Sequence, residues 1–307
     1  MLESKDRTYA IIGGVTKAGT TSLFKYMVMH NDVCCSSLKE TRFFLDKSYP
    51  LCAPYYYEDT GLEKYLEFFR SDRRVYLEAT PDYLYSTGTP CRVGEALGVD
   101  NVRWIFLLRD PIDRLRSWYR FGIQVGQIHS RLSLTEYIES QMNGTANREV
   151  QAFRALEQGR YSDYLQVYKD TFGEENIQVL HFEKLKDRPQ DIVREVCQFL
   201  AISFDRFEGR NFAQHNPSIS PKNIRLQAAY YGVGKFLYTR VYDKPLLRKG
   251  LRLIGNRIVE PVYRFVNVVP GKEKAEIPAS LMTALRDYYD DYYGLSFGRP
   301  AANSLKR

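Results

Sequence analysis

The first residues able to do chemistry are a lysine, three threonines and a serine set among glycines, in GGVTKAGTTSLF from Gly13 onward. A nucleoside-triphosphate phosphate loop reads G-x-x-x-x-G-K-[ST], with its lysine directly after the second glycine. Gly14 and Gly19 keep that separation, but Thr20 follows Gly19 and the lysine, Lys17, comes before it. The free N–H groups of Gly19, Thr20 and Thr21 at a helix start, with threonine hydroxyls and one ammonium, form a nest for a dianionic group. Glycines at a strand end also serve plain tight turns, so this loop alone leaves both readings open.

A second set lies in LLRDPIDRLRSWY, Leu107 to Tyr119. Asp110 followed by Pro111 is a helix start, the N-cap and first helical residue. Arg109 then sits where a strand meets a helix, at the carboxyl edge of the sheet where open α/β folds hold ligands. Ser117 falls about two turns on, roughly 10 Å along the axis. A forward-reaching arginine and that hydroxyl can grip one phosphate together. The competing reading pairs Arg109 with Asp113 and leaves Ser117 on the surface. A third set, SLKETRFF from Ser37 to Phe44, offers Glu40 between Lys39 and Arg42, as a proton acceptor or as a surface ion pair.

These residues need a scaffold. Apolar runs at Tyr9–Gly13, Asp32–Ser36, Arg74–Glu78, Val102–Leu108 and Asn176–His181 read as strands. Helical patterns lie at Gly61–Arg70, Pro111–Gln124, Leu134–Met142, Tyr161–Phe172 and Pro189–Leu200, with another helix starting at Thr20. Strands alternating with helices predict an α/β fold, a central, mainly parallel sheet flanked by helices. No linker divides the chain, so residues 1–307 read as one domain with its core over 8–200. From 201 to 307 the β signal fades and a helical, basic portion is expected. Its cations Lys235, Arg240, Lys244, Arg248, Lys249, Arg252 and Arg257 make either a solvated helix face or a peripheral surface for a membrane or an anionic substrate.

Bulk composition narrows the classes. With 307 residues, 44% hydrophobic and 26% charged, the chain can bury a large core, and its 24 tyrosines and 17 phenylalanines suit core and pocket lining. A net charge of +7 favours an anionic partner, while cations spread along the chain rather than bunched in tails argue against nucleic acid. Five cysteines without a C-x-x-C and four scattered histidines offer neither a disulfide framework nor a metal site. The start MLESKDRTYAIIGG has no signal-peptide pattern and no apolar run reaches the ~18 residues of a membrane helix, so a cytoplasmic location is expected.

KAGTTSL after the first strand and RDPIDRLRSWY after a central one together resemble the sulfotransferases that use 3′-phosphoadenosine 5′-phosphosulfate (PAPS). SLKETRFF is similar to the K-E-x-x-F-F segment of the bacterial and heparan-sulfate-type branch. GRYSDYLQVYKDTFGEENIQVLHFEKL, Gly159 to Leu185, is similar to its G-x-Y-x-x-x-L helix and following strand. The likeness runs from about Tyr9 to Leu200 and continues more faintly through LRDYYDDYYGLSFGR. It implies a P-loop-like sulfotransferase fold and transfer of a sulfuryl group to a hydroxyl or amine of a carbohydrate or small secondary metabolite, releasing 3′,5′-ADP with no metal required. By the same resemblance, Lys17 stabilises the leaving phosphate, and Lys17, Ala18, Gly19, Thr20, Thr21 and Ser22 cradle the 5′-phosphosulfate. Arg109 and Ser117 bind the 3′-phosphate, Glu40 is the base, and Lys222, with Arg225, closes over the donor. The sequence departs from the family where Arg42 replaces a frequent histidine and Ala79 replaces a lysine, which leaves Glu78 and Asp82 as reserve bases. A kinase or NTPase would need the lysine after Gly19 and an acid placed for Mg²⁺; a non-catalytic nucleotide or anionic-polymer binder would keep the nest alone.

Overall fold

The computed structural model describes residues 7–129, 131–207, 212, 219–221, 223–241, 245–270 and 276–290. In chain order its first elements are β1 (Thr8–Gly14), α1 (Thr20–Met27), β2 (Val33–Cys35), α2 (Tyr57–Leu66), β3 (Val75–Ala79) and α3 (Thr89–Leu97). Next come β4 (Val102–Leu108), α4 (Pro111–Gln124), α5 (Leu134–Met142), α6 (Tyr161–Phe172), β5 (Ile177–His181), α7 (Phe182–Asp187) and α8 (Pro189–Phe199). The last are β6 (Ile219–Pro221), α9 (Ile224–Arg240), α10 (Pro245–Ile254), α11 (Glu260–Asn267), β7 (Val268–Pro270) and α12 (Ala279–Tyr288). They gather into two compact units, one of Met1–Leu115, Leu156–Gln214 and Ile277–Arg307, the other of Arg116–Ala155 and His215–Glu276.

The first unit holds a five-stranded sheet in the order β2-β3-β1-β4-β5. Every pairing in it is parallel. All five carboxyl ends therefore open on one edge, and the connections out of β1, β2 and β4 deliver Lys17 to Ser22, Glu40 and Arg109 there. The chain leaves β1 towards β3 and β2 on one side, with β4 and β5 on the other. Such a reversal opens a crevice at the carboxyl edge.

β1 and β4 are sealed on both faces, which is why YAIIG and VRWIFLL are continuous apolar runs rather than alternating ones. Trp104 and Phe106 of β4 stack with centroids 5.7 Å apart, and Tyr168 of α6 meets Trp104 edge-on at 4.7 Å. Buried tyrosines spend their hydroxyls on backbone: Tyr168 donates to the Tyr83 carbonyl at 2.5 Å and Tyr161 to the Arg109 carbonyl at 2.8 Å. The aromatic load thus builds core, and through Tyr161 it also holds the end of β4.

Two expectations need correction. The helix expected over Gly61–Arg70 runs instead from Tyr57 to Leu66, with a kink at Gly61. Gly61 has φ +68°, a conformation glycine adopts without strain, and Phe68 and Phe69 beyond the helix turn into the core. The portion after Ala201 is largely helical but also contains the short antiparallel pair β6–β7, in the second unit. Strands of three residues that end in proline leave no readable alternation in a sequence.

Candidate active site

The loop after β1 is shaped by backbone conformations that side chains rarely adopt. Lys17 has φ +74° and Gly19 φ +84°. A Cβ on Gly19 would stand 2.9 Å from the Phe182 ring and 3.0 Å from Leu185, so only glycine fits. The loop's own backbone bonds run from Ala18 N–H to Val15 and from Ser22 and Leu23 N–H to Gly19. The N–H groups of Gly19, Thr20 and Thr21, at the start of α1, are thus left outside the helix ladder. Gly19 is the N-cap and provides no capping side chain. Thr20 and Ser22 are buried. Thr16 Oγ1 is also buried, with no hydrogen-bond partner among the described residues.

Two arginines hold this loop by its carbonyls. Arg109 Nη1 donates to the Lys17 carbonyl at 3.1 Å, while its guanidinium lies 4.7 Å above the Phe182 ring. Arg114, fully buried on the first turn of α4, donates from Nε to the Thr16 carbonyl at 3.2 Å and from Nη2 to Gln158 Oε1 at 3.2 Å. With those carbonyls drawn towards the arginines, the alternating left-handed residues form an anion nest of backbone N–H groups. Arg114 is the residue the sequence reading passed over. Its signal was faint: an arginine three positions after the helix-starting proline. The helix start itself is as expected, with Asp110 Oδ1 accepting the Asp113 N–H at 2.8 Å.

Glu40 reaches the same edge by a different route. Its N–H donates to the Ala79 carbonyl at 2.9 Å and the Arg42 N–H to Thr80 Oγ1 at 3.1 Å, which stitches the segment to the carboxyl end of β3. Glu40 and Arg42 are themselves left-handed, φ +63° and +58°. Lys39 Nζ lies 2.8 Å from Glu40 Oε1 and Arg42 Nη2 lies 3.0 Å from Oε2. Burial by itself would raise the Glu40 carboxyl, but the Lys39 ammonium and Arg42 guanidinium outweigh it and hold it below the usual carboxylate range.

The reserve carboxyls differ. Glu78 is fully buried in β3, with Oε2 accepting the Thr41 hydroxyl at 2.5 Å. Burial pushes it up to about 7 against the pull of its hydrogen bonds. Asp82 accepts from Tyr49 at 3.0 Å, and burial, then the Glu40 charge, push it up to about 6. Of the three, Glu40 alone combines an ionised state with an accessible side chain, about a third exposed. The chain therefore brings Lys17, Ala18, Gly19, Thr20, Thr21, Ser22, Glu40 and Arg109 to one sheet edge. Ser117 is a buried residue of α4 within the second unit. Lys222 lies outside the described residues, as does the sequence beyond Asp290.

The model of the sulfotransferase domain family matches residues 7–250. The chain belongs to that family. The sulfotransferase is 26% identical over 207 residues to bifunctional heparan sulfate N-deacetylase/N-sulfotransferase 1 of Xenopus laevis, an alignment covering 63% of this chain and 22% of that protein. It is 24% identical over 218 residues to the human protein numbered 3 in the same series, covering 67% and 24%. The chain thus matches about a quarter or less of the length of these curated relatives. Among solved structures, a sulfotransferase from Alicyclobacillus acidocaldarius superimposes with a TM-score of 0.57 at 24% identity, over 74% of this chain and 92% of that one. That likeness concerns the fold, a parallel sheet flanked by helices.

Proposed function

We propose that this sulfotransferase moves a sulfuryl group from PAPS to a hydroxyl or amine of a carbohydrate or small secondary metabolite, releasing 3′,5′-ADP. The observation that carries the reading is the clustering of left-handed backbone. Among the described residues four non-glycine residues have positive φ: Lys17, Glu40, Arg42 and Ala201. Two of them, Lys17 and Glu40, are candidate site residues, and Arg42 pairs with Glu40 at the same carboxyl edge. Strain of roughly 1–3 kcal/mol per residue persists where the surroundings over-determine it, and it concentrates at active sites.

The groups present fit a phosphosulfate. Uncommitted N–H groups at the start of α1, the Thr16 hydroxyl and the half-buried Lys17 suit a terminal dianion. In the reaction the acceptor oxygen or nitrogen forms its bond to sulfur as the bond from sulfur to the bridging oxygen breaks. The electron pair goes to the phosphate, whose growing charge Lys17 and the nest stabilise. The acceptor's proton passes to Glu40. Arg109 and Ser117 are assigned to the 3′-phosphate and Lys222 to closure over the donor. The carbohydrate preference draws support from the heparan sulfate enzymes that the chain resembles. The family match runs across both compact units, which supports reading residues 1–307 as one working domain.

Thermal shift provides the test. 3′,5′-ADP should raise the melting temperature without Mg²⁺, and labelled PAPS with acceptor pools should yield a sulfated product identifiable by mass spectrometry. Stabilisation by Mg·ATP alone would favour a phosphoryl-transfer enzyme and overturn the proposal.

A further inference from the structure

The second unit carries a surface that the transfer chemistry leaves unused. Of the sixteen large apolar side chains exposed among the described residues, twelve lie between Leu226 and Val266. They are not scattered. Leu247, Leu251, Ile254, Ile258, Val262 and Phe265 follow one another at steps of three and four through α10, a single π turn at Gly255–Val259 and α11. That spacing puts them on one stripe of a helix. Leu251 is half-buried and the other five are exposed, Phe265 by 88%.

The same helix is tied down by other residues. Tyr263 is buried and stacks on Tyr230 of α9 at 4.1 Å. Buried Asn267 exchanges hydrogen bonds with the Asn223 backbone, accepting from its N–H at 2.7 Å and donating to its carbonyl at 2.9 Å. α9 adds exposed Val233 and Phe236, with Arg240 4.5 Å above the Phe236 ring.

The charge of this stretch is lopsided. From Ile224 to Asn267 the sequence has nine lysines and arginines against Asp243 and Glu260. That surplus of seven equals the formal net charge of the whole chain, +7, so the remaining residues balance. None of the helices is long and apolar enough to cross a membrane among the described residues. A basic stretch with an exposed apolar stripe fits a helix lying in the plane of a lipid interface.

We propose that α9 to α11 form a peripheral membrane-docking surface for a bilayer with anionic headgroups. Its apolar stripe enters the headgroup boundary while the cations of the same stretch meet lipid phosphates and carboxylates. Charge complementarity selects this occupant over a second copy of the chain. A two-fold contact would set the same cation-rich stretch against itself, which like charges oppose.

Co-sedimentation with vesicles tests this. The full chain should bind vesicles of phosphatidylcholine mixed with phosphatidylglycerol at least about tenfold better than phosphatidylcholine alone, and high salt should remove the difference. Val262→Asp combined with Phe265→Asp should lower that binding by about tenfold or more. Both positions are exposed, so the melting temperature and 3′,5′-ADP affinity of the variant should match wild type. Absent binding, equal binding to both vesicle types, or undiminished binding by the variant would overturn the proposal. So would light scattering that shows a wild-type dimer broken by the same two substitutions, since the face would then join copies of the chain.

Discussion

At the scale of single residues, charge decides which carboxyl can act. Glu40, flanked by Lys39 and Arg42, stays ionised at neutral pH although much of it is covered. In the proposed role it would take a proton from the acceptor, and it should show no titration in the neutral range. We expect Glu40→Gln to lower kcat by roughly 10²- to 10⁴-fold with the dissociation constant of 3′,5′-ADP nearly unchanged. In wild type the acid limb of the kcat profile should fall below the ordinary glutamate value of about 4.3. Arg42→Gln removes a cation that depresses this pKa, so its acid limb should move to higher pH. A pH–rate series on the three proteins checks both claims. An Arg42→Gln limb that stays in place, or moves lower, would remove Glu40 from the role. The sequence marked Glu40 as a candidate but could not separate base from ion pair, because that depends on which backbone atoms fix its position.

At the scale of elements, the glycine at the start of α1 links three parts of the fold. Gly19 is left-handed, and a methyl there would press on Phe182 and Leu185 of α7. Phe182 in turn supports the Arg109 guanidinium that holds the Lys17 carbonyl. Gly19→Ala should therefore cost about 1–3 kcal/mol of stability and weaken 3′,5′-ADP binding more than a substitution on the outer face of α1, such as Lys25→Ala. Denaturant melts and calorimetric titration measure the two effects. Unchanged donor affinity in a destabilised protein would make the loop geometry irrelevant to binding. This coupling also shows what the sequence made legible. β4, α5 and α6 occupy the ranges their periodicity indicates, because each buries a regular face or a whole strand. The start of α4 was readable from Asp110 and Pro111. Arg114 was not, since nothing local says that an arginine on a helix's first turn will be fully buried against a loop carbonyl 98 residues away. The kink at Gly61 escaped as well: glycine permits a turn there, but nothing in the local sequence requires one.

For the molecule as a whole, buried acids and paired acids pull the stability in opposite directions with pH. Glu40 and Asp46 are held below their usual values, although burial alone would raise both. Lys39 and Arg42 outweigh it at Glu40, and Ser86, Arg92 and the Gly88 N–H outweigh it at Asp46. Their contribution is present above the unfolded carboxylate range of about 4 and is lost as pH falls through the lower folded values. Glu78 and Asp82 work the other way, raised to about 7 and about 6, in each case first by burial. In the window from about 4 up to those values the folded chain binds more protons than the unfolded one, so stability declines as pH rises. These two carboxyls therefore lower stability as pH rises from about 4 to about 7, while His181, held below its usual value by burial, acts in the opposite sense. Glu78→Gln keeps an acceptor for Thr41 but cannot ionise. It should flatten part of that decline and melt above wild type at pH 8, a gain on the order of 3 kcal/mol at most, while giving little at pH 4.5. Melting curves of both proteins across this range make the comparison. Parallel curves would mean that Glu78 does not titrate between them, and that Thr41 and Tyr83 stabilise its charge as well as water does.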